Sequence, residues 1–371
     1  MTRPAEQFPS DYSMKLLSRL LLPPRNAYLP SSLIKEELKL EILNLGHDEF
    51  TDLLTLAQSN HVIVRGLEAF LDLCDEERDT NRKELAEGAL AAERARIENA
   101  TAYLGEICDV FERRAYRAAV IKSLDHWPDL GSDLDLFTNA SSEDVIKLMR
   151  GHFDAKIAPR SWGDRLARKW NFIISGLPEA VEIHVGRLGQ TGEQVAIASW
   201  MLERARWVSI GGRRFRVPSP SDRLAISTLQ RMYRHFYFRL CDVVDTALLS
   251  DAGGIDFQDL QDSTRRAGIW EGVATYLAIV SDYAKNYRGA GLDLPKFVHA
   301  AARFGGDQII YGRGFLRVPI VPQSARLYGS QLAGVLGKGE FYNGARLSLL
   351  PWLATAAAVG QKITGSDKGI W

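Results

Sequence analysis

The sequence predicts an α+β protein in which a small mixed-sheet core is held between helical segments. Three observations carry this prediction. Residues 78–114 are charged, Ala-rich and free of Pro, which predicts one long amphipathic helix. Between 115 and 217 the text changes to short apolar runs separated by turn residues. After Pro218-Ser219-Pro220 it becomes helical again.

The elements follow in order. Residues 1–30, rich in Pro and Ser, predict an irregular arm, and 31–114 a helical segment. Ser32 with Glu36 and Glu37 nearby resembles a helix start, and apolar residues recur at helical spacing through Phe50, Leu53, Leu54 and Ala57. Within 115–217, Ala118-Ala119-Val120-Ile121 reads as a buried strand and Leu134-Asp135-Leu136-Phe137 as a second. Ser141-Ser142-Glu143-Asp144 caps a helix running through Met149. Phe172-Ile173-Ile174 and Val181-Glu182-Ile183-His184-Val185 read as two more strands, and 207–217 reads as a hairpin turning at Gly211-Gly212. A C-terminal helical region spans 218–305. Ser221 caps its first helix, which extends to about Leu249, and its second covers 257–287. Residues 306–371 form an extension whose apolar tract, 347–360, is read as a buried helix.

Composition excludes several classes. Positive and negative side chains balance at 46 each, so no net charge pulls the whole chain onto nucleic acid, and a polyanion site has to be local. The three cysteines, Cys74, Cys108 and Cys241, form no Cys-x-x-Cys, which suits a reducing cytoplasm. Leu20–Leu22 is too short for the apolar core of a signal peptide, and the longest apolar tract falls short of the ~20 residues of a spanning helix, so no membrane partner is expected.

Asp133 and Asp135 form the one Asp-x-Asp of the chain. On a strand they point to the same face, while Leu134 and Leu136 point into the core. Two carboxylates this close repel unless a cation lies between them. Mg2+ prefers oxygen ligands and commonly takes one or two carboxylates plus substrate phosphates. Gly131-Ser132 precedes the pair and permits close backbone approach. In the later strand Glu182 and His184 share a face. If that strand neighbours the first, Asp133, Asp135 and Glu182 converge as a ligand set for two metals some ~3.5–4 Å apart. The competing readings are a solvated strand end for the Asp pair and a plain surface residue for Glu182.

The first strand ends in Lys122 and Ser123, with nine residues between Ser123 and Asp133. Backbone amides there could receive a phosphate, with Lys122 as a point charge, or Lys122 could simply be an exposed strand-end lysine.

With those residues in hand, the chain resembles the uncharacterised bacterial nucleotidyltransferase family of the polymerase-β nucleotidyltransferase superfamily. Ile121-Lys122-Ser123 stands where that family has Leu-Lys-Gly, and Gly131-Ser132-Asp133-Leu134-Asp135-Leu136 matches its Ser-Gly-Asp-Ile-Asp-Leu. Val181-Glu182-Ile183-His184-Val185 matches its Val-Asp-Leu-His-Trp. Asp222, Leu224, His235, Arg239-Leu240 and Asp245 follow in the family's order, and the likeness covers residues 40 to 290. Ser123 departs from the usual Gly, and Asp129-Leu130 stands where an Arg is common. The resemblance implies transfer of a nucleoside monophosphate from a nucleoside triphosphate to an acceptor that it leaves open, whether small molecule, protein or RNA. Mg2+, with Mn2+ as the alternative, would be held by Asp133, Asp135 and Glu182. Lys122, Ser123, Gly131, Ser132, His184 and Arg239 would contact the nucleotide.

Other residues carry weaker expectations. Arg160, Arg165, Arg168 and Lys169 could hold an anion or form a solvated helix face. His235 and Arg239, four apart, would share a helix face and, with Asp245, look across the cleft. Arg213, Arg214 and Arg216 make a basic patch too small to indicate RNA. Phe236-Tyr237-Phe238 reads as core. Two rivals stand beside the main reading. One is a sugar transferase using Asp133-x-Asp135 with a nucleotide-sugar, which needs a larger α/β domain than 115–217 offers. The other is a non-catalytic nucleotide-binding or regulatory protein of the same fold.

Overall fold

The computed structural model describes residues 11–24, 31–74, 80–189, 195–349 and 351–352. The protein is α+β, with a five-stranded mixed sheet between helices from both ends of the chain. The N-terminal helices are α1 (Asp11–Leu21), α2 (Ser31–Leu43), α3 (His47–Ser59), α4 (Ile63–Leu71) and α5 (Thr80–Arg113). Helix α1 corrects the expectation of an irregular arm over 1–30. Met14, Leu17 and Leu20 recur at helical spacing and are buried. The Pro and Ser residues around them hid that short stripe. A Cβ added at Gly66 of α4 would stand 3.0 Å from Leu17, so the two helices meet where no side chain intervenes.

The sheet contains β1 (Ala118–Val120), β2 (Asp133–Thr138), β3 (Lys156–Ile157), β4 (Lys169–Ile173) and β5 (Ala180–Val185), in the order β1-β2-β5-β4-β3. Strand β2 pairs antiparallel with β1 and parallel with β5. The parallel pair requires a crossover, which α6 (Ser142–Phe153), β3, α7 (Trp162–Leu166) and β4 supply. Ser141 starts α6 as expected, its hydroxyl accepting from the Asp144 amide.

Alternation sorts the two sheet faces. Leu134, Leu136, Val181 and Ile183 enter the main core, which also holds residues from α1 through to Leu327. Ala119, Ile121 and Phe137 point the other way, against α8 (Val195–Arg204) and Ile226. Asp133, Asp135, Glu182 and His184 share that second face. Strands β6 (Arg206–Ile210) and β7 (Arg213–Val217) form the expected hairpin, with Gly211 and Gly212 both at positive φ in the turn.

The helix expected from Ser221 to Leu249 is interrupted. Helix α9 (Pro220–Gln230) is capped by Ser219, with Pro220 in the first turn, where its missing N–H costs nothing. A π-turn, Arg231–His235, follows, and left-handed Phe236 ends it. Tyr237–Phe238 is then strand β8, and the helix resumes as α10 (Leu240–Asp251). The break has a tertiary cause. The chain after α11 (Phe257–Arg266) and α12 (Trp270–Arg288) returns as β9 (Ile310–Gly312) and β10 (Phe315–Arg317), and β10 pairs with β8. The single helix expected over 257–287 is likewise two, parted at Gly268 in the left-handed conformation that favours glycine. Among the described residues no helix is long and apolar enough to cross a membrane. Most of the tract 347–360 lies outside the described residues.

Candidate functional site

A cleft opens between the second face of the sheet and the π-turn. One wall is acidic. Register sets Asp135 directly opposite Glu182 on the parallel neighbour. Asp135, Glu182 and His184 offer ligand atoms within 4.8 Å of one another. Asp133 lies two residues nearer the start of β2, on the same face but outside that tight set.

Each acid is held differently. Asp135 is buried, with Lys122 Nζ on one carboxylate oxygen and His184 Nε2 3.3 Å from it. Burial opposes the charge on Asp135, but Lys122 and His184 outweigh it and keep the carboxyl below the usual carboxylate range. Burial pushes the His184 imidazole down, so the neutral ring donates to Asp135 and orients it. Glu182 accepts from Lys169 Nζ at 2.9 Å, and the same ammonium reaches Asp164 at 3.0 Å. Among the described residues Asp133 has no such cation in contact. Burial, then the charges of Glu182 and Asp135, push its carboxyl up to about 6.

That value has a measurable consequence. The folded state holds the Asp133 proton more tightly than the unfolded chain does. In the presence of a chelator, this group therefore makes stability fall as pH rises from about 4 to about 6. Denaturation of wild type and Asp133→Asn across that window should show the fall in wild type and its loss in the variant. Parallel pH profiles would mean that Asp133 titrates normally.

The turn after β1 is built around Lys122 and Ser123. Lys122 has φ 62°, a conformation that favours glycine, and the Ser123 amide donates to Ile121 O at 2.6 Å. The Ser123 hydroxyl donates to Asp133 O at 3.0 Å and accepts from the Asp135 amide at 2.8 Å. Both of its polar groups are thus committed within the protein. Ser123 lines the cleft, and its hydroxyl stitches the turn to the acidic strand. Ser132 is exposed at the cleft edge, and Gly131 lies under His61, whose ring would be 3.5 Å from an added Cβ.

The opposite wall is basic and comes from the interrupted helix. Arg231, Arg234, His235, Tyr237 and Arg239 all line the cleft. Arg231 pairs with Asp242 at 2.7 Å. Among the described residues Arg234 and Arg239 pair with no carboxylate, and Arg239 Nη1 lies 3.4 Å from His61 Nδ1. The Tyr237 ring packs on Phe315, with centroids 4.6 Å apart, so the C-terminal extension braces this wall. His235 and Arg239 do not share a helix face as their spacing implies, because the π-turn and β8 lie between them.

The remaining candidates lie elsewhere. Asp245 faces away from the cleft, between Arg65 at 2.6 Å and His126 at 2.5 Å. Of the basic cluster 160–169, Lys169 alone reaches the acidic wall. The guanidinium of Arg160 sits 3.8 Å over the Trp170 ring, and Arg165 and Arg168 are exposed. Arg214 and Arg216 lie over Trp207, and Arg216 reaches Glu112 of α5 at 3.6 Å. His61, His126, Gln230, Arg231 and Arg234 line the cleft without any motif in the sequence that marks them. No protein-family model matches the chain, and no curated protein matches it in sequence.

Proposed function

We propose that this protein is a metal-dependent nucleotidyltransferase, of the family its motifs resemble, which moves a nucleoside monophosphate from a nucleoside triphosphate to an acceptor hydroxyl. The observation that carries this reading is the pairing of Asp135 with Glu182 on parallel strands, Asp133 beside them, facing a wall that bears Arg234 and Arg239. A polyphosphate bridged to carboxylates by divalent cations needs these two kinds of surface on either side of one cleft.

The donor set fits Mg2+ or Mn2+. Asp133, Asp135 and Glu182 offer hard oxygens, and Lys122 and Lys169 already show that cations settle on two of them. Mg2+ held there supplies charge neutralisation on the phosphoryl oxygens. The protein's own groups do the rest. His184 fixes the Asp135 carboxylate, Arg234 and Arg239 bind the β- and γ-phosphates, and Tyr237 borders the nucleoside. The acceptor oxygen forms a bond to the α-phosphorus as the bond to pyrophosphate breaks. Glu182 receives the acceptor proton. Catalysis is chiefly positioning and electrostatic stabilisation.

Lys122 gives this reading a two-sided prediction. Lys122→Ala keeps a Cβ at the same positive φ and removes the ammonium together with its aliphatic stem. Triphosphate affinity should fall by about ten- to a hundredfold, the equivalent of ~1.5–3 kcal/mol for a charged hydrogen bond. Mg2+ affinity without nucleotide should rise, because Asp135 loses a competing cation. Titration of each ligand separately checks both signs, and weaker binding of both would mean that the turn had collapsed. Turnover itself is tested by incubation with triphosphates labelled at the α- or the γ-phosphate. Label from the α-phosphate should appear on the acceptor and γ-label in pyrophosphate. Release of γ-label as inorganic phosphate alone would indicate a hydrolase instead.

A further inference from the structure

Beside the acidic wall lies a second set of metal-capable side chains of a different chemical kind. His61, His126 and Cys241 come from the end of α3, the turn before β2 and the first turn of α10, and their ligand atoms lie within 4.8 Å of one another. We propose that His61, His126 and Cys241 bind a zinc-class divalent ion whose fourth coordination position opens into the cleft. This site is separate from the Asp133, Asp135 and Glu182 set and does not depend on the nucleotidyltransferase reading.

The geometry is close to what such an ion needs. With Zn–N of about 2.0–2.1 Å and Zn–S of about 2.3 Å, two tetrahedral ligands of these kinds stand roughly 3.5–3.6 Å apart. His126 Nε2 and Cys241 Sγ are 3.7 Å apart. The other ring nitrogen of His126 is held by Asp245 at 2.5 Å, which directs Nε2 toward Cys241. A carboxylate on the far nitrogen of a ligating imidazole is a recurrent outer-shell partner of zinc. Asp245 is itself fixed by Arg65 at 2.6 Å.

His61 is aimed by a clamp on its neighbour. The Asn60 side chain accepts from the Leu240 amide at 2.8 Å and donates to Gly314 O at 2.9 Å, and the Cys241 amide donates to Asn60 O at 3.3 Å. These bonds tie the end of α3 to the start of α10. His61 then takes the left-handed position after the helix, with φ 54°, where glycine is usual. His61 and His126 line the cleft, whereas Cys241 lies fully buried behind them. Three protein ligands with one side open to a cleft is the arrangement of a zinc ion that receives water or a substrate atom.

The same residues could suggest a thiol nucleophile, since Cys241, His126 and Asp245 form a chain. Cys241 is 0% exposed, however, and no substrate carbon reaches its sulfur. His61 has no part in such a relay, yet it converges on the same point. Two imidazoles and a thiolate are soft enough to favour zinc over Mg2+, which prefers oxygen.

The test uses the full chain, stripped with a chelator and titrated with Zn2+ and then Co2+. One equivalent of Co2+ should produce thiolate-to-metal absorption in the near ultraviolet, and Cys241→Ser should remove that band. His61→Gly should lower Zn2+ affinity by at least about a hundredfold, at or beyond the ~10–100-fold cost of losing an outer-shell partner. That variant should fold at least as stably as wild type, because glycine suits the left-handed backbone. Asp133→Asn should leave Zn2+ affinity unchanged. Absence of the band in wild type would overturn the proposal, as would a change of less than about threefold in His61→Gly. Loss of Zn2+ binding in Asp133→Asn would also overturn it, by locating the ion in the acidic set.

Discussion

Asp133→Asn should abolish pyrophosphate release and at the same time stabilise the metal-free protein at neutral pH. The loss of activity should be at least about a thousandfold, because removing a ligating charge forfeits several kcal/mol of transition-state stabilisation. The gain in stability has a separate origin. Burial and the charges of Glu182 and Asp135 push the Asp133 carboxyl up to about 6, so at neutral pH the folded state carries a charge it would rather lose. Asn keeps the shape and removes the charge. The shift sets an upper bound of about 3 kcal/mol, and partial solvent access reduces the expected gain to the order of 1 kcal/mol. Chemical denaturation in the presence of a chelator, alongside pyrophosphate release, measures both effects. A variant that is both inactive and less stable would make Asp133 a structural residue.

The second large effect belongs to Arg65. Its guanidinium joins Asp129 and Asp245, each at 2.6 Å, and all three side chains are largely buried. Asp129 also accepts from the Val64 amide at 2.6 Å, at the start of α4. Breaking such a network from one side leaves carboxylates without a partner, which typically costs about 3–5 kcal/mol. Arg65→Ala should therefore lose that much unfolding free energy in urea. Arg65→Lys should recover little, since one ammonium cannot span two carboxylates as a planar fork does. A loss below about 1 kcal/mol would mean that water replaces the guanidinium freely.

The sheet and its acids were legible because period-two alternation is a strong local signal. Leu134 and Leu136 declared one face of β2, Val181 and Ile183 one face of β5, and the carboxylates were left on the other. Adjacency of the two strands is a condition that alternation alone does not supply, and the register sets Asp135 against Glu182. The opposite wall was not legible. Arg231, Arg234 and Tyr237 reach the cleft from a segment where the helix breaks and residues 237–238 pair with 316–317, a contact between segments far apart in sequence. Helix propensity over 221–249 carries no trace of that partner. The bonds of Ser123 are hidden from the sequence for a related reason. Its position beside an acidic motif suggested a phosphate contact, but its hydroxyl is used up on the backbone of β2. His61 and Cys241 lie 180 positions apart, and the Asn60 clamp and the Arg65–Asp245 pair, both long-range contacts, bring their segments together.

The most direct test of the central claim is an equilibrium titration with a slowly hydrolysed nucleoside triphosphate analogue, with Mg2+ and with a chelator. The account predicts one site whose affinity falls sharply when the metal is removed. It also predicts loss of binding in Asp135→Asn and far weaker binding of the bare nucleoside, since Arg234 and Arg239 then have no phosphate to hold. Equal affinity with and without Mg2+, or equal affinity for nucleoside and triphosphate, would contradict it.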